Sequence, residues 1–203
     1  MREHENYYGF ELITGPMSCG KTEELLRRIR RCQIAQKNIK IFSPDIDTRQ
    51  SESIVVSRNG LSLDAIKVKS SKEILDMVED KDEIIAIDEI QFFDEEIIDV
   101  VNELVAEHKK VIACGLDLDF KGEPFGPMPY LLSIANKVDK LMAICMKCGS
   151  EYGVRTQRLI NGVPAGKNSP QIMIGGDETY EARCLDCYEP PREIERPKLS
   201  IVN

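Results

Sequence analysis

Apolar residues along this chain come in two alternating rhythms. Short continuous runs read as buried strands: Phe10-Glu11-Leu12-Ile13, Asn38-Ile39-Lys40-Ile41-Phe42-Ser43, Ile84-Ile85-Ala86-Ile87, Val111-Ile112-Ala113-Cys114-Gly115 and Lys140-Leu141-Met142-Ala143-Ile144. Between them, apolar positions recur at helical spacing. Leu25, Leu26, Ile29 and Cys32 form one face. Ile74, Leu75 and Val78 follow Ser71 as a predicted N-cap, and Ile97, Ile98, Val101, Leu104 and Val105 follow Asp94 as another. Leu131, Leu132 and Ala135 predict a last helix. Ile54-Val55-Val56-Ser57 and Leu61-Ser62-Leu63 flank Arg58-Asn59-Gly60, a hairpin with an Asn-Gly turn, and Ile66-Lys67-Val68 predicts one more short strand. Strands alternating with helices predict an α/β chain.

The junction between the first strand and the first helix carries chemistry. Gly15-Pro16-Met17-Ser18-Cys19-Gly20-Lys21-Thr22 fills every fixed position of G-x-x-x-x-G-K-[ST], the Walker A loop. Its glycines let successive backbone N–H groups turn inward on phosphates, and the following helix adds its positive end. Lys21 reaches the β/γ oxygens in such a loop, and the Thr22 hydroxyl holds Mg²⁺. Glu23 and Glu24 open the helix and Arg27, Arg28, Arg30 and Arg31 follow, the charge order a helix dipole prefers; most of these arginines read as a solvated face.

Ile84-Ile85-Ala86-Ile87-Asp88-Glu89 is a Walker B strand, with Asp88 at its carboxyl edge to receive Mg²⁺. Glu89 is then placed to act as general base for a group attacking the γ-phosphate, against the plainer role of a strand cap or ion pair. Phe92 and Phe93 either wall a planar ligand or fill core. The polar loop opened by Pro44 leaves a strand's carboxyl end, where α/β sheets bind ligands, so Arg49 is either a phosphate contact or a solvent-facing arginine. A second long loop, Leu116 to Pro127, has the length and Gly/Pro content of a lid.

The 203 residues suit one domain with an elaboration, or one large and one small domain, and the 42% hydrophobic content allows a core. A net charge of −8 disfavours nucleic acid and anionic membranes as partners. The charged stretch Met1 to Asn6 has no apolar run behind it, which predicts no secretory signal, and no run approaches the ~18 residues of a membrane span. A cytoplasmic setting is the expectation. The odd count of seven cysteines argues against a disulfide framework. Cys19, Cys32 and Cys114 read as small core residues. Cys145-Met146-Lys147-Cys148 and Cys184-Leu185-Asp186-Cys187 make two C-x-x-C knuckles, four soft ligands for a closed structural Zn²⁺ site, with a redox dithiol pair as the alternative. The stretch between them (Asn161-Gly162, Pro164-Ala165-Gly166, Gly175-Gly176) is loop chemistry, so the metal is expected to clamp a flexible loop. The Pro-, Arg-, Glu- and Lys-bearing tail from Pro190 reads as disordered.

Gly15 to Thr22, Asp88-Glu89-Ile90-Gln91-Phe92-Phe93, the Phe120-to-Phe125 segment, and Ile174-Gly175-Gly176 before Tyr180 between the knuckles together resemble the zinc-containing type II thymidine kinases. The likeness runs in the family's order from about Phe10 to Tyr188. It implies a RecA-like P-loop NTPase domain over 1–144, with a parallel sheet flanked by helices. A small zinc-ribbon-like domain with a substrate lasso loop follows over 145–189, and a tail over 190–203. It implies ATP and thymidine as substrates, ATP and Mg²⁺ being held by Gly15 to Thr22 (Cys19 included) and Asp88, with Asp47 and Arg49 on the phosphate-donor side. Gln91 is placed toward the nucleoside sugar. Ile172, Met173, Ile174 and Gly175 are assigned to the base through their backbone, with Tyr180 packing against it. Phe92, Phe120 and Phe125 complete the pocket, and Met17 and Leu116 approach the 5-methyl group. One methyl discriminates by only ~1–3 kcal/mol, so deoxyuridine is an expected second substrate. The family implies a homotetramer, or a dimer, inhibited by thymidine triphosphate. The chain departs from the pattern at Arg58, where His is usual, and at Lys121-Gly122, where an arginine is usual.

Two other classes fit the motifs alone. One is a P-loop ATPase whose knuckle binds nucleic acid or a protein and whose Glu89 activates water. The other is a non-catalytic nucleotide switch. ATP use without nucleoside marks the first, and binding without turnover the second.

Overall fold

The computed structural model describes residues 8–46, 54–56, 62–172 and 178–191. Asp47, Arg49, the Arg58-Asn59-Gly60 turn, Met173, Ile174, Gly175 and the tail beyond 191 lie outside the described residues.

In chain order, β1 (Gly9–Thr14) leads through the glycine loop to α1 (Lys21–Ile34) and β2 (Ile39–Pro44). A small antiparallel hairpin, β3 (Ile54–Val56) with β4 (Ser62–Asp64), precedes β5 (Ile66–Val68) and α2 (Lys72–Met77). Next come β6 (Ile84–Ile87), a 3-10 turn at Ile90–Phe92, α3 (Ile97–Ala106), β7 (Lys110–Gly115), α4 (Met128–Ile134) and β8 (Lys137–Lys140). The main sheet has the order β5-β2-β6-β7-β1-β8 with every pair parallel. β7 lies between the strand bearing the Walker A loop and the strand bearing Asp88, the RecA-like arrangement expected above.

The strands alternate their side chains between two cores. Phe10, Leu12, Phe42, Ile85 and Ile87 pack with residues of α3 and α4 on one face. Ile13, Ile41, Ala86, Ile112 and Cys114 pack with Leu25, Leu26 and Ile29 of α1 on the other. Each fully buried Leu, Ile or Phe contributes about 1.5–3 kcal/mol, so both faces are strongly held. Because all strands run the same way, the ends of β1, β6 and β7 meet at one edge of the sheet. That edge receives the glycine loop, Asp88 and the 116–127 loop.

Three local expectations are revised by tertiary contacts. The last strand of the main sheet is β8, the polar Lys137–Lys140, and not the apolar stretch ending at Ile144. β8 is an edge strand, so it needs no apolar run, while Met142 and Ile144 are exposed. Ser71 is the N-cap residue of α2, as expected, but its side chain makes no capping bond. Its hydroxyl donates to Asp94, and Asp94 in turn is not the N-cap of α3. Arg28 departs from the solvated face: it is buried and donates to Glu11 (2.7 Å), Glu24 (2.8 Å) and Asp139 (2.5 Å), fastening α1 to β1 and β8.

The chain between the knuckles is more ordered than its loop-forming residues suggested. β9 (Arg155–Ile160) pairs antiparallel with β10 (Val163–Pro164) and with β11 (Glu178–Arg183). Asn161 (φ 51°) and Gly162 (φ 76°) form the β9–β10 turn, the double positive φ that an Asn-Gly pair supplies most cheaply. Among the described residues, no helix is long and apolar enough to cross a membrane.

Candidate functional site

A cavity of ≈ 640 Å³ opens at the carboxyl edge of the sheet and is walled on its far side by the second sheet. Met17, Ser18, Gly20, Lys21 and Thr22 of the glycine loop line it, as do Glu89, Phe92, Leu116, Phe120, Phe125, Ile172 and Tyr180. Those residues, distant in sequence, line one cavity. Gly15, Pro16 and Cys19 belong to the loop but do not face the cavity. Asp47, Arg49, Met173, Ile174 and Gly175 lie outside the described residues.

The loop leaves β1 at Thr14 and returns as α1, whose first turn is closed by Glu24 N–H donating to the Gly20 carbonyl (3.0 Å). Lys21 is nearly buried and its Nζ donates to the Pro16 carbonyl (2.7 Å), so the ammonium is drawn across the loop. Met17 N–H donates to Thr156 Oγ1 (3.0 Å), which ties the loop to β9.

Asp88 directly follows β6 and is 7% exposed. Its Oδ1 accepts the Glu89 N–H (3.0 Å) and the Cys114 thiol (2.7 Å). Cys114 is thus a core residue, as expected, and also a donor to the Walker B carboxylate. Burial first, and the Glu89 charge second, push Asp88 up to about 6, against the pull of the Cys114 hydrogen bond. Burial likewise drives the Cys114 thiol well above its ordinary value, which keeps it protonated and donating.

Glu89 has a left-handed backbone (φ 52°), an uncommon conformation for a side-chain-bearing residue and a frequent mark of functional sites. Gln91 Nε2 donates to Glu89 Oε2 (2.5 Å), while Gln91 Oε1 accepts Leu116 N–H (3.0 Å). Gln91 is 2% exposed and sits behind the cavity, where it holds Glu89. Phe92 lines the cavity edge-on to Phe125 (centroids 5.3 Å, 83°), and Phe93 fills core. The two aromatics therefore divide the roles that sequence left open.

The far wall holds residues that pattern reading missed. Arg158 on β9 is 1% exposed, its guanidinium 3.9 Å from the Phe120 ring centroid and 5.1 Å from that of Tyr180. Its terminal nitrogens donate to the carbonyls of Pro170 (2.5 Å) and Gln171 (2.6 Å). Gln171 Nε2 donates to Asp119 Oδ2 (3.0 Å), and Asp119 Oδ1 accepts the N–H groups of Lys121 (2.8 Å) and Glu123 (3.1 Å). Stacking, charge and hydrogen bonds thus hold the start of the segment that runs on to Ile172. Lys121 lies 5.5 Å over the Phe120 ring. Nothing in the alternation of β9 flags Arg158 or Thr156 as cavity residues.

Beyond this wall the Sγ atoms of Cys145, Cys148, Cys184 and Cys187 all lie within 4.8 Å of one another. The Cys148–Cys184 separation is 3.7 Å. Zinc–sulfur bonds of about 2.3 Å give tetrahedral edges of about 3.8 Å, so four thiolates here fit a closed Zn²⁺ site. Hydrogen bonding with the Cys148 and Cys184 sulfurs first, and burial after it, push Cys187 up to about 12 in the metal-free cluster. The family model for thymidine kinase matches residues 9–188, from β1 through the second cysteine knuckle.

Proposed function

The chain belongs to the thymidine kinase family, and on that premise we propose that it transfers the γ-phosphate of ATP to the 5′-hydroxyl of thymidine. The observation that carries this reading is a single cavity lined at one end by Lys21 and Thr22 and at the other by Phe92, Phe120, Arg158 and Tyr180, with Glu89 on its wall. Glu89 accepts the proton of the 5′-hydroxyl. The 5′-oxygen forms its bond to the γ-phosphorus as the bond to the β–γ bridging oxygen breaks, and ADP leaves. Lys21 and the loop N–H groups stabilise charge on the transferring oxygens. Gln91 fixes the Glu89 carboxylate from behind, and the apolar wall keeps competing water from the γ-phosphate.

Thr22 and Asp88 offer the hard oxygen donors Mg²⁺ requires. When bound, the ion neutralises charge on the phosphate oxygens. The second sheet with its cysteine cluster, over about 145–189, acts as a separate substrate-covering domain on the nucleotide-binding domain of 1–144. Its metal is zinc, and backbone groups from Ile172 onward meet the base. Deoxyuridine is a second substrate, thymidine triphosphate an inhibitor, and the assembly a homotetramer or dimer, all in keeping with a cytoplasmic salvage enzyme. Mg²⁺-dependent ATP consumption is measured with and without thymidine, with identification of the product. Thymidine-dependent formation of the 5′-monophosphate is the expected result, and consumption indifferent to thymidine turns the reading toward an ATPase.

A further inference from the structure

We infer that Tyr188, the residue after the last cysteine of the cluster, is a positioning residue that ties the metal cluster to the loop walling the nucleoside end of the cavity. The inference rests on the reading of that end as the thymidine site. Tyr188 Oη donates to the Phe120 carbonyl (2.8 Å), across 68 positions of sequence.

The phenol is held from both sides. The backbone N–H of Tyr188 donates to the Cys184 carbonyl (3.0 Å), inside the knuckle. The next residue, Glu189, exchanges two hydrogen bonds with the Gln157 side chain on β9: Glu189 N–H to Oε1 (2.8 Å) and Nε2 to the Glu189 carbonyl (3.2 Å). On the loop side, Gly122 has φ +78°, and a Cβ there would lie 3.3 Å from Tyr188 Oη. A side chain there would press on the hydroxyl and displace it by a few tenths of an ångström, on a backbone conformation that glycine adopts most readily.

From Phe120 the connection continues without a gap. The Phe120 ring carries Arg158, Arg158 holds the Pro170 and Gln171 carbonyls, and Asp119 of the same loop holds the Gln171 amide. The cluster reaches the base-covering segment by two routes: along the chain through β11, and across space through Tyr188. Metal binding that fixes Cys184 and Cys187 also fixes the phenol between them and the loop.

Tyr188→Phe removes the hydroxyl and keeps the ring. In the metal-loaded variant, amide hydrogen exchange in 119–123 and 170–172 is expected to speed up about fivefold, the worth of one hydrogen bond. Thymidine affinity by calorimetry is expected to fall by about the same factor, with ATP affinity and bound metal per chain unchanged. Gly122→Ala, which leaves the knuckles untouched, is expected to give the same pattern. Unchanged exchange in both segments overturns the inference. So does a matched loss of thymidine and ATP affinity with a lowered Tm, which is the signature of a general packing role. Loss of metal from Tyr188→Phe alongside normal exchange in Gly122→Ala overturns it as well. If the wild-type protein binds no thymidine, the proposed function is lost, while the exchange data still decide the Tyr188 link.

Discussion

At one end of the cavity a single unbroken loop, Gly15 to Thr22, closes on itself between β1 and α1. At the other end Phe120, Arg158, Gln171 and Tyr180 come from separate segments and are joined by side chains. The loop's shape follows from its own backbone and from a buried parallel sheet beneath it. The far wall has no such foundation: the Arg158 guanidinium, the Asp119 carboxylate and the Tyr188 hydroxyl hold it together. Two ends built this differently fail for different reasons, so on the proposed function nucleoside binding is expected to be separable from phosphate binding.

The largest effect is expected where the two ends meet. Glu89→Gln removes the proposed proton acceptor and is expected to lower kcat by about 10²–10⁴-fold, with ATP affinity retained. Steady-state kinetics beside nucleotide calorimetry check this, and near-normal turnover removes Glu89 from the mechanism.

Stripping the metal with a chelator, or Cys148→Ser, is expected to lower thymidine affinity by about 10–100-fold and leave ATP affinity within about twofold. An equal loss at both sites dissolves the contrast drawn here.

Arg158→Met keeps the stem and removes the guanidinium. Losing part of the ~1.5–3 kcal/mol of each charge-assisted hydrogen bond is expected to raise the thymidine KM about tenfold with ATP KM unchanged. A lowered kcat with unchanged thymidine KM would place Arg158 at the phosphate end instead.

The smallest effect belongs to the base of the phosphate end, under α1. Hydrogen bonding from Arg27 first, and from Arg28, lowers Glu24 to about 2, and Arg28 also lowers Asp139. Depressed carboxylates stabilise the fold above their unfolded pKa, so this contribution is complete above about pH 4.5 and lost as pH falls toward 2. For such partly exposed pairs it amounts to ~1 kcal/mol or less. Asp88 has the opposite sign. Raised to about 6, it makes the metal-free protein lose stability as pH climbs from about 4 to 6. Urea midpoints against pH, for wild type and Arg28→Met, are expected to differ by an increment that shrinks below pH 4.5. A constant difference shows that Arg28 acts by packing alone.

The asymmetry between the two ends also explains what could be read without a structure. The glycine loop, the Asp88-Glu89 pair, the central strands and the four-cysteine cluster were legible because each is encoded locally. A phosphate loop is a run of backbone, a buried parallel strand is a run of apolar residues, and a knuckle is a fixed spacing. The edge strand β8 escaped because an edge needs no apolar run. Ser71 stands at the N-cap of α2 without a side-chain capping bond, and Asp94 is not the cap of α3, because the two side chains found each other. Arg28 inside a carboxylate cluster, Cys114 on Asp88, Arg158 between two aromatic rings and Tyr188 on the Phe120 carbonyl were settled only by tertiary structure. In each case the partner lies far off in sequence, and a polar side chain's role follows from which neighbour desolvates and pairs with it in space.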